Sequence, residues 1–483
     1  MPTEAPKRYG IFIDGSWSEP SSGRWFETLD PATGKPIGLI AEGDQWDVEA
    51  AVAAARRALE GKDWATMDPS QRGRILFRLG ALLREHGDEL ARLECLDNGK
   101  PLKEAKGDVA YAAWTFEYFA GMADKVQGET IPVPGERFSY TRLEPLGVTA
   151  HVVPWNFPIA LGARSIAPAL AAGNTVVAKP SSLAPLTNLR MAEIGLQAGL
   201  PPGAYNVVTG PGETVGRALV SSPEVDGIAF TGSVESGKEV MRLAADGVTP
   251  VTLELGGKCP NIVLPDADLE RALRGVLRGG FMNAGQMCWA GSRLLVNEGA
   301  HREFVGKLVE RAKALKVGPG LDEATDMGPL VAEAQLQRVL GYVEGGISEG
   351  ARLLTGGQRT GHGGFFLEPC IFDEVGPEMK IAQEEIFGPV ITVHSFRDVH
   401  EAVEIANGGR FGLCAGLWTR RLDLAHTIAN QLEVGMVSVN EYPVTFPQLP
   451  FGGFKESGLG FEQGLRAVYN YSRTKAVTIN LRP

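Results

Sequence analysis

The stretch GVTAHVVPW (147–155), followed by NTVVAKP (174–180), decides the fold. Both are short runs rich in β-branched residues, and the chain between them, through Ala171, has the apolar pattern of a helix. Together they read as strand, helix, strand. Outward from there the alternation continues with a helix at LTNLRMAEIGLQAGL (186–200), a strand at AYNVVTG (204–210), another helix, and a strand at GIAFTGS (227–233). This order predicts a doubly wound parallel sheet of the α/β class. A second α/β series begins near Gly256 and takes in RLLVNE (293–298), a helix from His301 to Val317, and GPVITVHSF (388–396). Two α/β domains are expected, as suits a chain of 483 residues, which is too long for one hydrophobic core. NYSRTKAVTINL (470–481) reads as a lone strand with nothing after it to pair, a kind that often completes a neighbour's sheet.

Composition narrows the partners. With 47 basic and 58 acidic residues the net charge is −11, which disfavours nucleic acid and anionic membranes, since both need basic patches. The most apolar region, FPIALGARSIAPALAAGNTVVA (157–178), is broken by two prolines, Arg164 and Asn174, and reads as two buried elements rather than a membrane span. The N-terminal MPTEAPKRYG lacks a basic-then-apolar pattern, so a cytoplasmic location is expected. Five scattered cysteines without a CxxC point to neither a disulfide framework nor a zinc site. No metal is expected.

Several short stretches carry chemistry. FTGSVESG (230–237) ends a strand and opens a helix, with Gly232 and Gly237 framing the turn. Free N–H groups at such a helix start suit a pyrophosphate, although a plain structural turn fits equally well. Lys179 ends its strand at the carboxyl edge, where ligands of such sheets sit; it could hold ribose hydroxyls or be an ordinary loop lysine. Glu254, in VTLELGGK (251–258), is flanked by leucines, which would raise its pKa toward that of a general base; a half-exposed strand residue is the other reading. Asn156, in PWNFP (154–158), is held between prolines and could donate to developing negative charge. Cys288, in GQMCWAGSR (285–293), is either a buried structural thiol or a nucleophile, and Gly285 and Gly291 beside it would let a ligand approach the backbone closely.

Taken together, PWNFP, VVAKPS (176–181), FTGS (230–233), LELGGK (253–258), GQMCWAGSR, EEIFGPV (384–390) and PFGGFKESGLG (450–460) resemble the motifs of the aldehyde dehydrogenase superfamily, in the same order, from about Ile11 to the C-terminus. The resemblance implies a Cys288 nucleophile, a Glu254 general base and an Asn156 oxyanion donor assisted by the Cys288 N–H. It implies NAD or NADP as cofactor, held by Val153, Pro154, Trp155, Lys179, Ser182, Gly212, Phe230, Gly232, Ser233, Leu255, Gly256, Glu385 and Phe387. The substrate, an aldehyde, would meet Phe157, Leu161, Arg164 and Trp289. NAD-preferring relatives often carry Glu three positions after the ribose lysine; Ser182 stands there, so both cofactors should be usable.

The implied architecture is a cofactor domain (1–125 and 145–255), a catalytic domain (256–469) and a small β arm (126–144 and 470–483), assembled as a homodimer or a tetramer of two such dimers. Arg164 falls eight residues after Asn156, about two helical turns, and so faces the same way. It would either pair with a substrate carboxylate, favouring a semialdehyde or polar aromatic aldehyde, or brace its helix against a nearby acid. Met282 stands where succinic semialdehyde enzymes carry a second arginine. The competing classes are a Cys–His hydrolase or acyltransferase, which would need no nicotinamide, a CoA-acylating relative, and a non-catalytic protein on the same fold.

Overall fold

The protein is described by a computed structural model over residues 7–361 and 363–482. The first six residues, where no targeting segment is expected, and the last residue of the arm range lie outside it. An eight-stranded sheet runs in the order Gly458–Leu459, Val251–Glu254, Gly227–Thr231, Val148–Val153, Thr175–Pro180, Tyr205–Val207, Ile11–Ile13, Ser16–Ser18. From Val251–Glu254 to Tyr205–Val207 neighbouring strands are parallel, and the flanking strands join antiparallel. Strand order reverses between Val148–Val153 and Gly227–Thr231, the switch point beside which doubly wound sheets bind ligands. The register sets Val152 beside both Lys179 and Phe230, and Thr231 beside Glu254, so the proposed cofactor and base residues end their strands along one rim.

The helix Pro158–Ala172 follows the first of these strands. Proline at its first turn needs no N–H partner there, and Gly173, at φ +96°, closes it in a left-handed conformation. Every residue of this helix is buried, Arg164 included, which accounts for its apolar sequence without a membrane. Among the described residues no helix is long and apolar enough to cross a bilayer, and no group of His, Cys, Asp and Glu is arranged to hold a metal ion.

The second sheet has seven strands, in the order Arg352–Thr355, Cys370–Asp373, Val390–Phe396, Arg293–Asn297, Pro260–Val263, Cys414–Trp418, Met436–Val439, all parallel except the first. The helix expected from His301 to Val317 instead spans Glu298–Lys313. The Asn297 side chain accepts from Gly299 N and starts the helix earlier, while Val317 is drawn out of it to bridge Met327.

One expectation about the C-terminal region needs correction. Residues 458–471, mostly assigned to the catalytic domain, pack on the first one. Gly458–Leu459 adds to the edge of its sheet, and Ala467, Val468 and Tyr471 bury in its helical core. The C-terminal strand Ser472–Asn480, with nothing after it to pair, lies beside the other segment of the expected arm. It pairs antiparallel with Arg137–Pro145 of its own chain, from Ser472 opposite Pro145 to Asn480 opposite Arg137. Thr130–Ile131 completes that three-stranded arm, leaving the outer edge of Ser472–Asn480 unpaired among the described residues.

Candidate active site

A cavity of about 660 Å³ descends between the two domains to Cys288. Its walls are mainly apolar: Phe157 and Leu161 from the first domain, Phe281, Met282, Trp289 and Phe451 from the second. The Cys288 loop is reached through a tight turn with left-handed backbone at Asn283, Ala284 and Gly285 (φ +49°, +53° and +71°). The two flanking glycines, expected to let a ligand approach the backbone, have a packing reason of their own. A Cβ at Gly285 would overlap the Gly388 carbonyl, and one at Gly291 would come within 2.7 Å of the Tyr442 ring, so both are required by protein packing.

Cys288 is partly exposed to the cavity, and its backbone N–H makes no hydrogen bond among the described residues. Burial pushes its thiol above the ordinary range; the Arg164 charge works in the other direction, and Glu385 and Glu254 add to the rise. Asn156 is buried, and its Nδ2 donates one hydrogen to the Gln286 carbonyl at 3.0 Å. A primary amide has a second hydrogen, so one donor remains for a ligand.

Glu254 ends the strand Val251–Glu254, buried, with both carboxylate oxygens unpartnered among the described residues. Desolvation holds its pKa well above the usual carboxylate range; Arg164 lowers it and Glu462 raises it. A buried acid without hydrogen bonds is costly as an anion and therefore basic, as water activation near neutrality requires.

Arg164 does reach the cavity, but not as a free cation. Its Nε donates to the Glu462 carboxylate, and its guanidinium lies over the Phe451 ring at 4.3 Å, leaving Nη2 buried and, among the described residues, unpartnered. The bracing alternative is the one the geometry favours. Glu462 itself was missed by the sequence reading, because nothing in GFEQG distinguishes a buried acid from a surface one.

On the cofactor side, Ser233 caps the helix Val234–Ala245 through its Oγ, which accepts from Ser236 N. A Cβ at Gly232 would meet the Phe230 ring at 2.6 Å, and one at Gly256 would overlap the Glu385 carboxylate. Lys179 is buried with no partner among the described residues, and desolvation lowers its pKa to about 8. Glu385 accepts from Gly257 N at 3.0 Å, and desolvation raises it to about 7. Trp155 and Phe387 meet edge to face at 5.1 Å, with Val153 buried behind them at the end of its strand. Ser182 Oγ donates to the Gly210 carbonyl at 2.8 Å. Leu255 is buried against Gly237, whereas Gly212 is exposed in the short turn Gly212–Gly216. An orphaned buried amine, a helix start and side-chain-free backbone along one rim fit a dinucleotide.

The sequence profile described as "Aldehyde dehydrogenase family" matches residues 17–477. The chain is 46% identical to the hydroxyisobutyraldehyde dehydrogenase of Mycolicibacterium austroafricanum, over 98% of this chain and 94% of that protein. It is 44% identical to human retinal dehydrogenase 2, over 98% of this chain and 92% of that one. Among solved structures, the NAD+ complex of an aldehyde dehydrogenase from Bacillus cereus superposes with a TM-score of 0.98 at 42% identity, covering 99% of this chain and 97% of that one. The profile match and these near full-length likenesses lead to one conclusion: the chain belongs to the aldehyde dehydrogenase family.

Proposed function

We propose that this protein oxidises an aldehyde to the carboxylic acid with Cys288 as nucleophile, Asn156 and the Cys288 N–H as the oxyanion hole, and Glu254 as the base that activates water. The observation that supports this reading most is a thiol at the foot of the cavity with two buried groups near it: an amide with a spare hydrogen, bonded to the Gln286 carbonyl of the thiol's own loop, and a desolvated carboxylate, unpartnered among the described residues, whose charge acts on the thiol. Attack by the thiolate on the carbonyl carbon gives a tetrahedral oxyanion, and donors already in place stabilise it without reorganisation. A nicotinamide cofactor, when bound, accepts the hydride lost from that carbon. Cys288 then carries a thioester. Glu254 takes a proton from water as it attacks, and the acid leaves as sulfur departs.

Lys179, Ser182, Gly232 and Ser233 would hold the adenosine ribose and phosphates, and Glu385 the second ribose. Ser182 offers a hydroxyl rather than a carboxylate, so NAD and NADP both fit. Because Glu462 already balances Arg164 and the walls are mainly apolar, an apolar aliphatic or aromatic aldehyde suits the cavity better than the semialdehyde or polar aromatic aldehyde expected from sequence. A homo-oligomer is also proposed. The open edge of Ser472–Asn480 and the exposed Phe138, Ile479 and Leu481 beside it supply a surface for a second copy.

The test is a panel of aliphatic, aromatic and carboxylate-bearing aldehydes, each assayed with NAD and with NADP. Reduced cofactor should appear fastest with apolar aldehydes; a hydrolase or acyltransferase would produce none, and a clear preference for diacid semialdehydes would overturn the substrate class.

A further inference from the structure

Lys100 lies in DNGKP (97–101), the connector between the helices Gly87–Asn98 and Leu102–Ala120. Gly99, at φ +94°, ends the first helix, and Pro101 precedes the second, so the lysine is turned inward with essentially no exposure. Its Nζ is 2.5 Å from Asp108 and 3.7 Å from Glu94, and lies over the Phe157 ring at 4.2 Å. It also donates to the Asn156 backbone carbonyl at 3.0 Å. From the same connector, Asn98 Nδ2 donates to the Trp155 carbonyl at 2.8 Å. Two consecutive carbonyls of the segment that carries Asn156 are therefore gripped by one rigid inter-helix turn.

A second grip comes from the nucleophile's own loop. Asn283 Nδ2 donates to the same Asn156 carbonyl at 2.7 Å, while its backbone N–H is held by Glu104 at 2.9 Å. An ammonium in a dry interior is costly unless it is paired and fully hydrogen-bonded. Here Asp108 and Glu94 outweigh the burial and keep Lys100 charged. A cation retained at that cost, aimed at the backbone of the amide donor, acts on the position of that donor.

We propose that Lys100 is a positioning residue for the oxyanion hole: anchored on Asp108 and Glu94, it fixes the Asn156 backbone so that one amide hydrogen stays on Gln286 and the other is presented to the cavity. The proposal rests on the reading of Asn156 as the oxyanion donor. Neither Lys100 nor Asn98 lines the cavity, whereas Asp108 and Phe157, which Lys100 also contacts, do, so the test must separate a route through Asn156 from one through those two walls.

A double-mutant cycle on the full-length enzyme, read as the rate of the first turnover of reduced cofactor and as aldehyde KM, tests it. Asn156→Ala should slow that turnover by about a hundredfold or more, the range for loss of one oxyanion donor. Lys100→Met should slow it about ten- to a hundredfold with little change in KM, and Lys100→Arg should recover most of the rate. In the Asn156→Ala background, Lys100→Met should cost less than about threefold, because the group it acts through is gone. Equal losses in both backgrounds, or a loss confined to KM, would overturn the proposal. An Asn156→Ala enzyme with undiminished turnover would instead remove the oxyanion reading beneath it. If Lys100→Met does not fold, the neutral pair Lys100→Gln with Asp108→Asn takes its place in the same cycle, with the same outcomes deciding.

Discussion

The chamber around Cys288 and the rim that would hold the cofactor are built on opposite principles. In the chamber, function comes from side chains kept dry and incompletely satisfied: Glu254 has two bare oxygens, Arg164 a bare Nη2, and Cys288 a thiol raised by burial. On the rim, Lys179 apart, function comes largely from backbone and from missing side chains, since a Cβ at Gly232 or Gly256 would collide with the Phe230 ring or the Glu385 carboxylate. The hydroxyls there are already content, Ser233 on its own helix and Ser182 on Gly210. Desolvation makes each chamber residue hard to replace, whereas rim side chains adjust selectivity.

The comparison can be broken at its strongest point first. Cys288→Ser places a hydroxyl that is almost wholly un-ionised near pH 7 in the same dry site, so steady-state oxidation should fall at least about a thousandfold, roughly 4 kcal/mol of barrier. Cys95 and Cys370 are buried away from the site, and Cys259 and Cys414 pack behind the Cys288 and Trp289 carbonyls, so serine at any of the four should leave far more activity. Retention of most turnover by the Cys288→Ser enzyme would end the assignment.

Next in size is Glu254→Gln, which should slow turnover about a hundredfold or more yet still release one equivalent of reduced cofactor in a burst. The base must lose its proton to work, so in the unaltered enzyme the deacylation rate should climb as pH rises through a pKa above the usual carboxylate range, as desolvation dictates. The variant should lose that limb. A burst of reduced cofactor absent from stopped-flow traces would place Glu254 earlier, as the group that deprotonates Cys288.

Arg164→Leu separates bracing from substrate binding. Removing one partner of a buried pair leaves Glu462 unpaired, a loss on the order of 3–5 kcal/mol of stability. Thermal unfolding should shift accordingly, and kcat/KM should fall by similar factors for charged and uncharged aldehydes. A selective rise in KM for carboxylate-bearing substrates would restore Arg164 as their anchor. The smallest effect belongs to the rim: Ser182→Glu should turn the enzyme toward NAD by about tenfold or more through repulsion of a 2′-phosphate, with kcat for NAD nearly unchanged. An unaltered NADP/NAD ratio would move 2′ recognition elsewhere.

How much of this was legible follows from range. The β-branched runs at 148–153, 175–180 and 227–231 announce their strands because a strand's signal lies in its own residues. Cys288, Glu254 and Asn156 could be singled out because each sits in a short motif that constrains its surroundings. Arg164 was placed on the right face by helical spacing, but its partner Glu462 is 298 residues away, and no local pattern reports such a pairing. The grip of Lys100 on Asn156 was invisible for the same reason. The helix Glu298–Lys313 was misplaced because its start depends on a single capping side chain. The end of the first domain was misjudged because Gly458–Leu459, two residues long, is too short to carry a periodic signal.

That two-residue strand has a consequence for how the protein is made. The strand bearing Glu254 is the outermost parallel strand of its sheet, and its free side is covered only by Gly458–Leu459, synthesised about two hundred residues later. A nascent chain that has finished the first five parallel strands still presents an uncovered edge, the kind of template on which chains aggregate. Closure waits for that later segment, which also delivers Glu462 to Arg164. The first domain is thus closed by a segment made after the second, and the base acquires its finished surroundings only once residue 462 has joined the chain.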